Sequence, residues 1–156
     1  MSLIEVTFSV NGEARTASVR GETTLLRALR DLGHVDVKSS CEAGDCGACA
    51  ILIDGEAVNA CLMFAAQAEG RQITTVRGIG TEENLHPIQR QMVEKGGVQC
   101  GFCTPGIVVA AKALLDKNPD PSPEEIRRGL AGNLCRCTGY HKIVEAVDAA
   151  AKEARG

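Results

Sequence analysis

Hydrophobic and polar residues alternate near the start of the chain. The apolar positions of this pattern are Ile4, Val6, Phe8, Val10, Ala17 and Val19. A period of two is typical of a strand with one buried face, and the pair Asn11-Gly12 between the two runs favours a hairpin turn. The chain therefore opens with a predicted antiparallel hairpin.

A helix and three more strands are predicted in the rest of the first half. Leucines at helical spacing occupy residues 25–32, and Gly33 stands where a left-handed cap would end the helix. The pair Asp54-Gly55 favours a second hairpin. The predicted strands cover residues 49–53, 56–60 and 72–76. A small sheet crossed by one helix is an α+β fold of the β-grasp type.

The pattern changes to a helical period in the second half of the chain. The predicted helices cover residues 84–95, 105–117, 123–131 and 139–154. Ser122 and Glu125 form a capping box at the start of the third helix. Four such helices predict a four-helix bundle. We therefore expect two domains, residues 1–78 and residues 79–156.

The second predicted helix is apolar on almost every side. Lys112 is its only charged residue before Asp116. Such a helix either lies at the centre of the bundle or is covered by another protein.

Composition and charge exclude several classes of function. The 156 residues include 17 Lys+Arg and 20 Asp+Glu, a formal charge of −3 spread along the chain, which excludes a basic arm for nucleic acid. Lys112 breaks the longest apolar run, so no membrane span is predicted. The first ten residues lack the charged and apolar regions of a signal peptide, and we expect a cytoplasmic location.

Eight cysteines supply the candidate chemistry. In a reducing compartment they favour metal binding over disulfides. The first quartet has the spacing C-x4-C-x2-C-x11-C, which is the plant-type ferredoxin spacing for a 2Fe-2S cluster. Gly44 and Gly47 would let this loop take positive φ angles and approach the sulfurs closely. The alternative for this loop is a structural zinc site.

The second quartet consists of a C-x2-C pair and a distant C-x-C pair. Its spacing alone fits either zinc or an iron-sulfur cluster. Cys103 directly precedes the apolar helix and Cys137 shortly precedes the last one, so we expect thiolates near helix N-termini, where the positive end of the dipole stabilises them.

Four segments together resemble one family. They are Cys41–Cys49 (CEAGDCGAC), Val58–Leu62 (VNACL), Gln99–Gly106 (QCGFCTPG) and Gly132–Tyr140 (GNLCRCTGY). The sequence is similar to the small iron-sulfur subunit of molybdenum hydroxylases, of the xanthine dehydrogenase and carbon monoxide dehydrogenase type. The resemblance implies a ferredoxin-like domain with one 2Fe-2S cluster and a helical domain with a second, which lies nearer the molybdenum.

The resemblance also assigns residues and partners. It gives the outer cluster the ligands Cys41, Cys46, Cys49 and Cys61. It gives the inner cluster the ligands Cys100, Cys103, Cys135 and Cys137. Gln99 is implied to bind the pterin of a molybdenum cofactor held by a large subunit, while a medium subunit holds FAD. The implied assembly is a dimer of heterotrimers, and no catalytic residue is assigned to this chain.

Three other interpretations compete with this one. A free-standing two-cluster ferredoxin would need no large partner, and a zinc-bound structural module would have no redox activity. The C-x2-C pairs could also be thioredoxin-like dithiols, which would leave four cysteines without a role. His34, His86 and His141 show no ligand spacing and are interpreted as surface or capping residues.

Overall fold

A computed structural model describes residues 2–156; Met1, the first residue of the predicted domain 1–78, lies outside the described residues. Within residues 2–156 the chain forms five strands, six α-helices and two short 3-10 turns. The strands are β1 (Ile4–Val10), β2 (Glu13–Val19), β3 (Ala50–Ile53), β4 (Glu56–Asn59) and β5 (Gln72–Thr74). The helices are α1 (Leu25–Asp31), α2 (Val76–Ile79), α3 (Pro87–Glu94), α4 (Thr104–Lys117), α5 (Pro123–Gly129) and α6 (His141–Arg155). The 3-10 turns cover Ala60–Leu62 and Ala65–Ala68.

The strands form one mixed sheet in the order β2-β1-β5-β3-β4. Strands β1 and β5 are parallel, whereas the two predicted hairpins are antiparallel. Both hairpin turns take positive φ angles, at Asn11-Gly12 and at Asp54-Gly55, as their residue types predict. Helix α1 covers the sheet through Leu25 and Leu29, which are fully buried. The predicted α+β fold with a β-grasp sheet is confirmed.

Helices α3 to α6 form the predicted bundle. One isoleucine from each contributes to its core, namely Ile88, Ile107, Ile126 and Ile143. Several predicted boundaries were wrong by one to three residues, and two of these errors have a clear physical cause. The closing strand ends at Thr74 because Thr75 caps α2, where its hydroxyl accepts from Arg77 N–H at 3.3 Å. The helix predicted from residue 84 begins at Pro87, since His86 is its N-cap.

Helix α4 lies between the bundle and the sheet. Ile107 and Ala111 face the bundle core, whereas Val109 and Ala113 pack against Ala50 and Leu52 of β3. This double burial explains why the helix is apolar on nearly every side. The first of the two alternatives for this helix, a central position, is confirmed.

The predicted division between residues 78 and 79 stays a prediction. Val76 and Ile79 of α2 pack against the bundle core and also against the contact between α4 and β3. This short helix, which precedes residue 79, therefore packs with the second half of the chain. Across residues 2–156, no helix has the length and apolar character needed to cross a membrane.

Candidate metal centres

The first quartet gathers at the loop between α1 and β3. Cys41 and Cys46 lie in that loop, Cys49 directly precedes β3, and Cys61 lies in the 3-10 turn after β4. Cys46 lies close enough to Cys41 to lower the pKa of its thiol, and Cys61 lies close enough to Cys49 to act on the pKa of that thiol. Cys46 also lies close enough to Cys49 to act on its charge. Two neighbouring pairs of thiols therefore lie at one site.

The two glycines of this loop take the positive φ angles that the sequence predicts, and their close approaches are to Gly132 and Leu62. Gly44 has a φ of 84° and Gly47 a φ of 68°. A Cβ on Gly47 would lie 2.3 Å from the carbonyl oxygen of Gly132, and a Cβ on Gly44 would lie 2.6 Å from Leu62 Cδ1. Asn59 Nδ2 donates to the Gly44 carbonyl at 3.1 Å and holds the loop against the sheet. Any larger residue at either glycine would displace the loop.

The second quartet gathers where the loops before α4 and α6 meet. Cys135 lies close enough to Cys103 to raise the pKa of its thiol, and Cys100 stands in the same relation to Cys137. Cys103 is the N-cap of α4, as predicted, but α6 begins only at His141. The prediction that Cys137 lies at a helix N-terminus is wrong, because Gly139 and Tyr140 take left-handed conformations and separate it from α6.

Each quartet is organised as two pairs of thiols. Among residues 2–156 no three His, Cys, Asp or Glu side chains converge on a point that a single metal ion could occupy. All eight cysteines are free thiols. Thiolate sulfur is the ligand type that iron-sulfur clusters require, so the donor set and its pairing fit a cluster with two metal atoms.

The thiols differ in how readily they lose a proton. The N–H of Ala43, 3.4 Å from Cys41 Sγ, lowers the pKa of Cys41 to about 7. Burial raises the pKa of Cys49 to about 12, and burial together with the neighbouring Cys135 raises that of Cys103 to about 12. Because metals bind thiolates, a metal core must displace the protons of Cys49 and Cys103.

Two opposing effects act on the pKa of Cys135. Burial raises its pKa, but hydrogen bonds led by the Thr138 hydroxyl outweigh burial and lower the pKa to about 7. That hydroxyl donates to Cys135 Sγ at 3.1 Å. The two sites thus place their sulfurs in different surroundings.

The two sites are joined directly. Leu134 N–H, one residue before Cys135, donates to the carbonyl oxygen of Cys46 at 2.9 Å. Asn133 Nδ2 donates to the Gly47 carbonyl at 3.0 Å, and Asn133 is 7% exposed. Sequence reasoning gave Asn133 no role, although an amide directly beside a ligand motif was a usable signal.

Between the two loops lies an open cavity of about 380 Å³. Its lining includes Cys46 and Cys135 together with Phe102, Leu134, Arg136 and Tyr140. Phe102 and Leu134 are about half exposed. Gln99 is exposed beside the exposed Cys100, at the same end of the molecule.

Comparison with known proteins decides between the interpretations. Residues 8–75 match the family model described as a 2Fe-2S iron-sulfur cluster binding domain, and residues 75–148 match the 2Fe-2S binding domain model. The nicotinate dehydrogenase small FeS subunit of Eubacterium barkeri is 47% identical over 148 residues, which cover 94% of each chain. The chain belongs to the small iron-sulfur subunits of the molybdenum hydroxylases.

Solved structures of molybdenum hydroxylases have the same fold. A chain of quinoline 2-oxidoreductase from Pseudomonas putida 86 superposes with a TM-score of 0.94 at 42% identity, over 99% of this chain and 98% of that one. Aldehyde oxidoreductase from Desulfovibrio gigas gives 0.92 at 47% identity, over 98% of this chain but 17% of that one. The small iron-sulfur subunit thus also occurs as part of a much longer chain.

The chain is therefore an electron-transfer subunit of an oxidoreductase and carries two 2Fe-2S clusters. The zinc module, the dithiol and the free-standing ferredoxin have no support in these comparisons.

Proposed function

We propose that this subunit relays single electrons from a molybdenum centre on a large subunit to FAD on a medium subunit. The observation that carries the proposal is the joining of two four-thiol sites by the hydrogen bond from Leu134 N–H to the Cys46 carbonyl. One such bond places the ligands of two sites a few bonds apart. A relay needs this proximity, whereas two independent structural metal sites do not.

The paired thiols suggest how each cluster is held. We assign one iron of the outer cluster to Cys41 and Cys46 and the other to Cys49 and Cys61, because within each pair one thiol acts on the pKa of the other. When bound, each cluster accepts and releases one electron at a time.

The same logic applies to the inner cluster. Its irons are assigned to the pairs Cys103 with Cys135 and Cys100 with Cys137. The buried thiols Cys49 and Cys61 anchor the outer site against the sheet, while Cys103 anchors the inner site at the start of α4.

Two surfaces suit the two partners. Gln99, with an amide that can donate and accept, is exposed beside Cys100 and near the half-exposed Phe102, so we assign this end to the large subunit and its pterin. The exposed Cys41 loop, at the outer site, is assigned to the FAD subunit. The proposed assembly is a dimer of heterotrimers, in which substrate is converted on the large subunit.

Removing the Gln99 amide tests this assignment. In the assembled enzyme, Gln99→Ala should slow reduction of the inner cluster by the molybdenum centre by roughly 2- to 10-fold, the effect of one hydrogen bond, with four irons per chain retained. The matched control is Gln72→Ala, since Gln72 is also an exposed glutamine but lies on β5. Rapid mixing with substrate gives the rate of inner-cluster reduction in each variant and in the wild type.

Co-purification supplies the second part of the test. A native complex that contains molybdenum, FAD and about four irons per small subunit is expected. An isolated small subunit, or equal rates in Gln99→Ala and wild type, would contradict the proposed relay.

A further inference from the structure

Three hydrogen bonds form a closed circuit at Cys135. Cys135 N–H donates to Tyr140 Oη at 2.9 Å, and Tyr140 N–H donates to Thr138 Oγ1 at 3.2 Å. The Thr138 hydroxyl in turn donates to Cys135 Sγ at 3.1 Å. We call these bonds the Cys135 circuit. Because the Thr138 oxygen already accepts from Tyr140, its one proton is directed at the sulfur.

The backbone is strained to make this circuit. Tyr140 has a φ of 67° and a ψ of −21°, a left-handed conformation that costs free energy for a bulky residue. Such strain persists where surrounding contacts hold it, and it concentrates at functional sites. Here the conformation brings both the N–H and the phenol of Tyr140 back onto the loop of the inner site. The circuit is therefore a specific arrangement of this loop, beyond what closing a turn requires.

Thr138 has a close counterpart that lacks the hydrogen bond. Thr104 directly follows Cys103 just as Thr138 directly follows Cys137, and both residues lie in the inner site. The buried Thr104 Oγ1 has no hydrogen-bond partner among the described residues. Two threonines in matching sequence positions thus differ in whether the hydroxyl reaches a sulfur.

A hydroxyl that donates to a ligand sulfur changes the energy of reduction. When the oxidised cluster gains one electron, the added negative charge spreads partly onto the ligand sulfurs, and a donor aimed at the sulfur stabilises that charge. Hydrogen bonds to sulfur are among the main determinants of cluster potential. The electron comes from a one-electron donor, and no proton needs to move.

We propose that Thr138 is a positioning residue that raises the reduction potential of the inner cluster through Cys135. This inference rests on the proposed assignment of Cys135 as an inner-cluster ligand. The Cys135 circuit orients the hydroxyl, so the driving force for accepting an electron depends on a residue that binds no iron.

The test compares three variants of the subunit in its native complex. Thr138→Val removes the hydroxyl at nearly constant volume, Thr138→Ser keeps it, and Thr104→Val removes the hydroxyl that makes no hydrogen bond. The measurement is the midpoint potential of each cluster, from a redox titration followed by paramagnetic resonance. Iron content and far-ultraviolet circular dichroism are recorded on the same samples.

Thr138→Val should shift the inner cluster to a more negative potential. At the wild-type midpoint, the ratio of reduced to oxidised inner cluster should fall roughly three- to tenfold, where tenfold corresponds to about 59 mV for one electron. Thr138→Ser and Thr104→Val should stay near the wild-type value, and the outer cluster should not shift in any variant. If Thr138→Val loses iron, Thr138→Ala, with its smaller side chain, gives the same comparison.

Three results would overturn the inference. The first is an unchanged potential of the inner cluster in an iron-replete Thr138→Val or Thr138→Ala protein. The second is loss of the inner cluster from both variants while Thr138→Ser keeps it, which would make the hydroxyl a requirement for assembly. The third is an equal shift in Thr104→Val, which would show that the shift does not need the bond to Cys135. A wild-type protein without an inner cluster would instead defeat the proposed function.

Discussion

At the scale of single residues, the approach of one backbone to another decides how the two metal sites meet. Gly106, in the first turn of α4, faces the carbonyl oxygen of Gly47, where a Cβ would come within 2.2 Å. That carbonyl also accepts from Asn133 at 3.0 Å. The three residues hold the outer loop against the inner one, so a single methyl group at Gly106 must push the two sites apart.

Gly106→Ala should therefore destabilise the protein. Overpacking costs about 1–3 kcal/mol, partly offset by the better helix propensity of Ala, and we expect a net loss of about 1–2 kcal/mol in the free energy of unfolding. Urea denaturation at matched iron content measures it. Gly132→Ala is the control, because a Cβ there meets nothing within 4 Å. Equal stability of the two variants would show that the loops tolerate separation.

At the scale of elements, most helices and strands could be predicted from local patterns, and the failures have physical causes. Both hairpins and α4 follow from alternation, turn residues and apolar spacing. The end of β5 and the start of α3 could not be predicted, because each depends on a side-chain cap. Thr75 is held by Asn11, whose Oδ1 accepts from Thr75 N–H at 2.9 Å across 64 positions in the chain.

The candidate metal sites also contain some residues that local sequence patterns reveal and others that only the folded structure reveals. A cluster at the first quartet could be proposed from spacing, because Cys41, Cys46 and Cys49 lie near one another in the sequence, whereas 31 residues divide the second quartet and its assignment to a cluster came from the family resemblance. The roles of Asn133 and Thr138 could not be proposed, because each depends on contacts that exist only after folding. Asn133 meets Gly47 across 86 positions, and Thr138 donates to Cys135 in a loop that also contains the left-handed Tyr140.

The cap of α3 makes its stability depend on pH. His86 Nδ1 accepts from Ile88 N–H at 3.2 Å, which requires the neutral ring. Burial lowers the pKa of His86 below its usual 6.5; Lys112 and Arg90 act in the same direction, while Asp116 and Glu153 oppose them. The stabilisation is thus fully present above the usual pKa and is lost as the pH falls below it toward the lowered value.

We expect wild-type protein to lose more stability than His86→Asn, by up to about 1 kcal/mol, the value of a helix cap, when the pH falls from about 7.5 to about 5.5, because Asn caps a helix without titrating. Thermal unfolding at both pH values measures the difference, with iron content matched. An identical pH dependence in the two proteins would contradict the role of the cap.

At the scale of the whole molecule, two small cores are joined through α4 and β3. The sheet core and the bundle core each rest on aliphatic residues, with Phe8 the one aromatic among the largest fully buried side chains of residues 2–156. Cores of this size give modest stability, and metal binding adds folding free energy to small domains. The inner site lies at the start of α4 and before α6, so its cluster supports both helices.

Loss of the inner cluster should consequently melt part of the bundle. Cys135→Ser should lose helical circular dichroism from α4 and α6, whereas Cys46→Ser, which affects the outer site beside the sheet, should lose much less. Chelation of iron from wild-type protein should reproduce the larger loss. Unchanged far-ultraviolet spectra after iron removal would contradict a folding role for the cluster.

If the two cysteine quartets hold two separate 2Fe-2S clusters, both clusters must be visible in paramagnetic resonance spectra of the reduced protein and in a parallel iron count. We predict about four irons per chain and two distinct signals in the wild type. Cys46→Ser should abolish or alter one signal and spare the other, and Cys135→Ser should do the reverse. A colourless protein containing zinc, or the loss of both signals in each folded single variant, would contradict the account.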